Sequence, residues 1–271
     1  SLKMTKLNFL TQEELKISNE FKKNGFIIRD TANKESLNWI QSKFVNLIKK
    51  KYKFKKELTN IQILNSFHKI ISKSNLNNFR LNIYESINKD ENFKYHYFQA
   101  AKPFIETIAG NELAMQKKVN LSIQLPKDDS SLLAVHSDVW AGDSPFEIVV
   151  WLPLVDCFKT KAMYILPPNK NDKFNKKVSM SRYSDNEKVF QLIKKDVKWI
   201  KINFGQVLIF NQSLPHGNRV NQESETRWTL NCRFKNTFTP YGDKKIGEFF
   251  EPITLRAISE LGLKYKLPKM K

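Results

Sequence analysis

Near residue 116 the hydrophobic pattern of this chain changes period. Before it, apolar residues recur every third or fourth position, as on a helix; after it, they alternate with polar ones, as on a strand. A chain of helices followed by strands is expected to be α+β with a mainly β core.

Upstream, Thr11-Gln12-Glu13-Glu14 has the form of a capping box and Gly25 of a helix stop, which predicts a helix over 12–24 and a short strand at Phe26-Ile27-Ile28. Leu37, Ile40, Phe44, Leu47 and Ile48 predict a second helix over 34–50 whose stripe is core. Helical spacing continues over 57–115, broken near 73–75 and 88–90. His68 and His96 fall there without metal-ligand partners at useful spacing, so structural roles are expected of both.

Downstream, strands are expected at 119–125, 131–138, 146–155, 161–166, 197–203, 206–211 and 226–235. Such a series predicts a jelly roll, or cupin-like double-stranded β-helix, with the N-terminal helices buttressing it. The whole of 1–271 reads as a single domain: 1–115 mainly helical, 116–240 the jelly-roll core, 241–271 a C-terminal extension.

Composition narrows the classes. A hydrophobic fraction of 41% with 20 Phe fits a packed interior. No apolar run approaches the ~18 residues of a membrane span, and Ser1-Leu2-Lys3-Met4 begins no secretory leader, so a cytoplasmic protein is expected. Cys157 and Cys232 read as buried free thiols. The net charge of +19 is spread along the chain, which favours a solvated basic surface, then an anionic small substrate, over nucleic acid.

The strand over 131–138 ends in His136-Ser137-Asp138. Period-two alternation puts His136 and Asp138 on one face, where both can reach one ion, and Ser137 on the other. Four His and 27 acidic residues give about 0.4 such pairs by chance, so the pair needs support. A 2-His-1-carboxylate site for non-haem Fe(II) requires a second His, and His216 is the only one downstream. Eleven residues beyond it, Arg227, Thr229, Asn231 and Arg233 alternate with Trp228, Leu230, Cys232 and Phe234. A polar row backed by so apolar a face is expected to line a cavity. There a guanidinium can take a carboxylate in two hydrogen bonds and the Thr229 hydroxyl can add a third, as a 2-oxo acid would require. Arg233 competes with Arg227 for that role, and spacing favours Arg227. Asn120, Ser122 and Gln124 form a polar face that suits either the pocket or solvent, and Trp151 suits either core or site wall.

From His136-Ser137-Asp138 through Trp151-Leu152-Pro153-Leu154 and Tyr164-Ile165-Leu166-Pro167 to His216-Gly217-Asn218 and Arg227-x-Thr229, the chain resembles the Fe(II)/2-oxoglutarate oxygenases of the phytanoyl-CoA dioxygenase-like branch. With Asp143-Ser144-Pro145 it also looks like oxygenases found in carbohydrate biosynthesis clusters. The resemblance implies Fe(II) held by His136, Asp138 and His216, and 2-oxoglutarate held by Arg227 with Thr229, Gln124 being counted with that set. It implies dioxygen as co-substrate and hydroxylation of a small polar or anionic metabolite, such as a sugar or sugar conjugate. Trp140, Asp143 and Ser144 become candidate substrate contacts, and 139–144 and 169–184 candidate lids. Asp138, in the position a halogenase leaves to halide, speaks against halogenation. Pro167-Pro168-Asn169-Lys170 departs from the Pro-Gly-Ser-His usual in the branch. Two other readings stand beside this one: a non-redox cupin-like metal-binding protein or isomerase, and a nucleic-acid demethylase.

Overall fold

The computed structural model describes residues 9–54, 56–176 and 185–269. Helix α1 (Gln12–Asn24) opens on the expected capping box: the Thr11 side chain accepts from the Glu14 N–H and the Glu14 side chain accepts from the Thr11 N–H. It stops at Gly25, whose φ of 80° suits a residue without Cβ. Strand β1 (Phe26–Asp30) follows, then α2 (Lys34–Lys51), α3 (Asn60–Asn65), α4 (Lys73–Asn88) and α5 (Glu91–Ala109). The periodicity thus placed α1 and α2 to within a residue. It ran the helical region too far, because Leu113–Gln116 is a strand, β2.

The remaining strands are β3 (Asn120–Gln124), β4 (Glu147–Pro153), β5 (Tyr164–Ile165), β6 (Lys198–Trp199), β7 (Gln206–Asn211), β8 (His216–Gly217), β9 (Arg227–Asn236) and β10 (Phe250–Thr254). They form two sheets. The larger runs β1-β7-β4-β9-β2-β10, with β3 also paired to β9, and the smaller runs β6-β5-β8. All the pairings are antiparallel, as a jelly roll requires. Strand β10 lies within 241–271 and pairs with β2, so part of that extension completes the main sheet.

Strand β9 is the long central element, and its alternation explains how helices and sheet are joined. Trp228, Leu230, Cys232 and Phe234 are fully buried. Trp228 meets the rings of Phe44, Phe67 and Phe79 at centroid distances of 6.1, 5.0 and 6.3 Å, and its indole N–H donates to the Leu64 carbonyl at 2.9 Å. From α5, the Tyr97 hydroxyl donates to the Val150 carbonyl at 2.6 Å. The helices therefore cover the outer face of the large sheet, and the opposite face of β9 is left to the space between the sheets.

One expected strand is absent. Residues 131–138 run without regular pairing, and the segment makes a single β-bridge, His136 with His216, before a 3-10 turn over Asp138–Ala141. Leu132 and Leu133, whose apolar character suggested a buried strand, are exposed. The loop over 169–184 also has more structure than expected. Asn169–Asn175 belongs to α6 (Pro168–Asn175), which Pro168 opens at a first-turn position where its missing N–H costs nothing; residues 177–184 lie outside the described set. Helices α7 (Asn186–Ile193) and α8 (Ala257–Lys264) complete the chain.

Candidate metal and 2-oxo acid site

The segment from His136 to Asp138 is fastened backbone to backbone onto the segment from Gln212 to His216. His136 N–H donates to the His216 carbonyl at 3.0 Å, His216 N–H returns to the His136 carbonyl at 2.8 Å, and Asp138 N–H donates to the Gln212 carbonyl at 3.1 Å. Ser137 points away, its hydroxyl donating to the Ser213 carbonyl at 2.9 Å. The pairing brings one ligand atom from each of His136, Asp138 and His216 within 4.8 Å of the others; among the described residues this is the metal-capable cluster.

The two rings are set for coordination. His136 Nδ1 lies 2.8 Å from the Ala134 carbonyl and His216 Nδ1 lies 2.8 Å from the Leu214 carbonyl. A carbonyl only accepts, so each Nδ1 carries a proton, and the Nε2 lone pair is what either ring can give to the cluster. Burial, with the neighbouring His136, pushes His216 down to about 4, which keeps that lone pair free at neutral pH. Asp138 divides its oxygens: Oδ1 faces His136 Nε2 at 3.4 Å and Oδ2 faces Arg233 Nη2 at 3.0 Å. Burial pushes its carboxyl up, but the polar His136 and His216 rings and the Arg233 guanidinium around it prevail and hold it well below the ordinary carboxylate range.

These groups open onto a cavity of about 300 Å³ between the sheets. Its floor is the polar face of β9: Arg227, Thr229, Asn231 and Arg233. Register sets Ser122 beside Thr229, and both Asn120 and Trp151 beside Asn231, with Val149 beside Arg233 at the metal-capable end. Its roof includes Met163 and Gly217. A Cβ on Gly217 would fall 2.8 Å from both the Leu133 carbonyl oxygen and the Tyr164 hydroxyl, so the close approach of the roof depends on glycine there. Trp151 is both buried and wall, which resolves the two readings of it.

Arg227 is buried and, among the described residues, faces no acid. Its Nη2 donates to the Ser122 hydroxyl at 2.9 Å, its Nη1 lies 3.4 Å from the Ala162 carbonyl, and its Nε has no partner among those residues. Burial pushes it down to about 10, still charged at neutral pH. Arg233 is already engaged, with Asp138 and with Asp143 at 3.3 Å. The guanidinium free to take an incoming carboxylate is therefore that of Arg227.

Four expected contacts are placed elsewhere. Gln124, opposite Arg227 in register, is not in the cavity wall; its amide donates to the Arg219 carbonyl at 2.8 Å and its own carbonyl, an acceptor, has nothing to offer a carboxylate. Asp143 is consumed by Arg233 and by Lys244 at 2.7 Å. Ser144 is buried against the Pro240 carbonyl, to which its hydroxyl donates at 2.6 Å. Trp140 packs against the small core of Val135, Tyr164 and Leu166. None of these three lines the cavity, because the chain turns outward at the 3-10 helix directly after Asp138. The link of Arg233 to Asp138 escaped the sequence reading; its position six residues along the same strand face was the available signal. His68 hydrogen-bonds the Thr226 hydroxyl at 3.0 Å and His96 stacks on Trp39, both apart from the cavity. Cys157 and Cys232 are buried free thiols, and burial pushes Cys157 up to about 12.

No protein-family model matches the chain, and no curated protein matches it. Solved structures do. A non-heme monooxygenase, ThoJ, in complex with nickel superposes with a TM-score of 0.55 at 14% identity, covering 88% of this chain and 84% of its own. The non-heme alpha ketoglutarate dependent carbocyclase SnoK from nogalamycin biosynthesis gives 0.56 at 11% identity, covering 91% and 97%. EctD from S. alaskensis, solved with 2-oxoglutarate and 5-hydroxyectoine, gives 0.53 at 12% identity, covering 86% and 78%. At such identities the likeness establishes the fold alone, the jelly roll that these solved structures share, over most of the chain.

Proposed function

We propose that this chain is an Fe(II)/2-oxoglutarate-dependent dioxygenase that hydroxylates a small polar or anionic metabolite, a sugar or sugar conjugate being the first candidate. The observation that carries the reading is the conjunction, in one cavity, of three metal-capable atoms within 4.8 Å of one another and a buried arginine with no acid partner and an unpartnered Nε. A buried unpaired charge is costly and is retained where an ion of opposite sign completes it.

The residues fit the implied groups. His136 and His216 through Nε2, with the Asp138 carboxylate, would hold the metal, and such a three-residue set would leave room for small molecules to bind it. Arg227 offers donors to the far carboxylate of 2-oxoglutarate, with Thr229 on the same face two residues along. Iron with 2-oxoglutarate supplies the oxidation of an unactivated C–H bond using dioxygen, with release of succinate and carbon dioxide. What this chain does is orient: backbone pairing between 136–138 and 212–216 fixes the ligand triangle, and Val149, Phe210 and Met163 give the cavity an apolar share of its lining.

Anaerobic addition of Fe(II), then of 2-oxoglutarate, to the purified protein tests the reading. A visible charge-transfer band that needs both additions and weakens in Arg227→Ala is the expected result. Metal-loaded, folded protein without the band overturns it in favour of a non-redox metal-binding role.

A further inference from the structure

We propose that the segment from Ala257 to Lys269 docks the protein on an anionic lipid surface, lying along the headgroup layer of one leaflet. This is independent of the dioxygenase reading. Helix α8 carries no buried residue, and a Cβ on its Gly262 would meet nothing within 4 Å, so the described fold leaves it uncovered. Ile258, Leu261, Leu263, Tyr265 and Leu267 are 75, 66, 66, 68 and 82% exposed, five large apolar side chains in a run of ten residues. Single exposed apolar residues are ordinary; such a run marks a surface that something apolar covers. The segment is held to the body at its root. The Arg256 N–H donates to Glu112 Oε1 at 3.0 Å, and the Ser259 side chain hydrogen-bonds the same carboxylate.

Two patterns identify the occupant. In the helix, Ile258, Leu261 and, at its cap, Tyr265 follow i, i+3, i+7 spacing and share a face. Tyr265 then leaves the helix extended, with φ −66° and ψ 134°, and Leu263, Tyr265 and Leu267 alternate with Lys264 and Lys266. Lys269 and Lys271 follow, and Glu260 is the only acid within 257–271. The occupant must therefore offer an apolar layer and negative charge in the same place, as the interface of an anionic bilayer does. A second copy brings the same lysines on a chain of net charge +19. Moreover, a stable protein interface uses about 20–30 residues a side, roughly twice the length of this segment. Nucleic acid supplies the charge but leaves the leucines in water. None of the described helices is long and apolar enough to cross a membrane, and the eight residues of α8 suit a helix that lies in the interface.

The test is flotation of the full chain with extruded vesicles, of phosphatidylcholine alone and of an equimolar mixture with phosphatidylglycerol. The expected result is at least about tenfold tighter binding to the mixed vesicles, since each lysine at an anionic surface adds roughly fivefold. Combining Lys264→Gln, Lys266→Gln and Lys269→Gln should remove most of that preference. A net charge of +19 attracts any anionic surface, so the deciding variant combines Leu261→Ser, Tyr265→Ser and Leu267→Ser, which leaves the charge unchanged. It should bind the mixed vesicles at least about tenfold more weakly, because the apolar contact is gone. With no buried residue in α8, both variants should keep the melting temperature of the unaltered chain, and truncation after Arg256 should reproduce the loss without a substitution in the helix. Binding that survives in the serine variant, or no binding by the unaltered chain, overturns the proposal. So does a dimer, read by sedimentation, that the serine variant splits, which would assign the segment to a second copy.

Discussion

Arg227 sits in the cavity wall with one hydroxyl and one carbonyl near it and no carboxylate. The folded protein gains little from a charge so placed, since desolvation offsets what two neutral acceptors return. Arg227→Met should therefore leave the melting temperature unchanged or raised, while 2-oxoglutarate affinity, read by calorimetry on nickel-loaded protein, falls about 10- to 100-fold. A melting temperature several degrees lower would mark the guanidinium as structural. His216 yields a pH prediction. Its folded pKa, about 4, is below the ordinary 6.5 of an imidazole, so as pH falls through that window the unfolded chain takes up a proton that the folded one refuses. Stability of the metal-free protein should thus decline as pH drops from 6.5 toward 4, by up to about 1.4 kcal/mol per unit, and His216→Gln should flatten the slope in urea titrations.

Strand β9 was legible because its two faces differ so sharply: four polar residues toward the cavity, four apolar toward the helices. The same alternation shows which change breaks the junction of layers. Trp228→Ala removes the ring that meets Phe44, Phe67 and Phe79 and should cost about 3–5 kcal/mol by chemical denaturation, leaving the polar face and its ligand chemistry in place once folded. Where the sequence misled, the cause was also local. Leu132 and Leu133 are apolar yet exposed, so the segment before His136 imitates a strand it does not form. Asp143 and Ser144 lie close to Asp138 in sequence, but the 3-10 turn sends them outward, to partners (Lys244 and Pro240) about a hundred residues away. Gln124 has the right parity for the cavity face and the wrong depth. Parity is a property of sequence; depth is set by packing.

At the scale of the whole molecule, the helical half, the β core and the last strand share one structure, since β1 and β10 both belong to the large sheet. Helix α8 is different: none of its residues is buried. Truncation after Arg256 should change unfolding free energy by less than about 1 kcal/mol, whereas truncation after Asp243, which also removes β10 with its buried Phe250 and bares the edge of β2, should cost several. Both are read in one denaturant series against the full chain.

The mutual backbone pairing of His136 and His216 has a consequence for biosynthesis. Eighty positions separate them, so a chain leaving the ribosome presents His136 and Asp138 well before their third companion exists. Until β8 docks, any ion that the nascent chain encounters finds two ligands on an unpaired loop and is free to exchange. A metal held by all three groups would therefore bind only once the two sheets have closed.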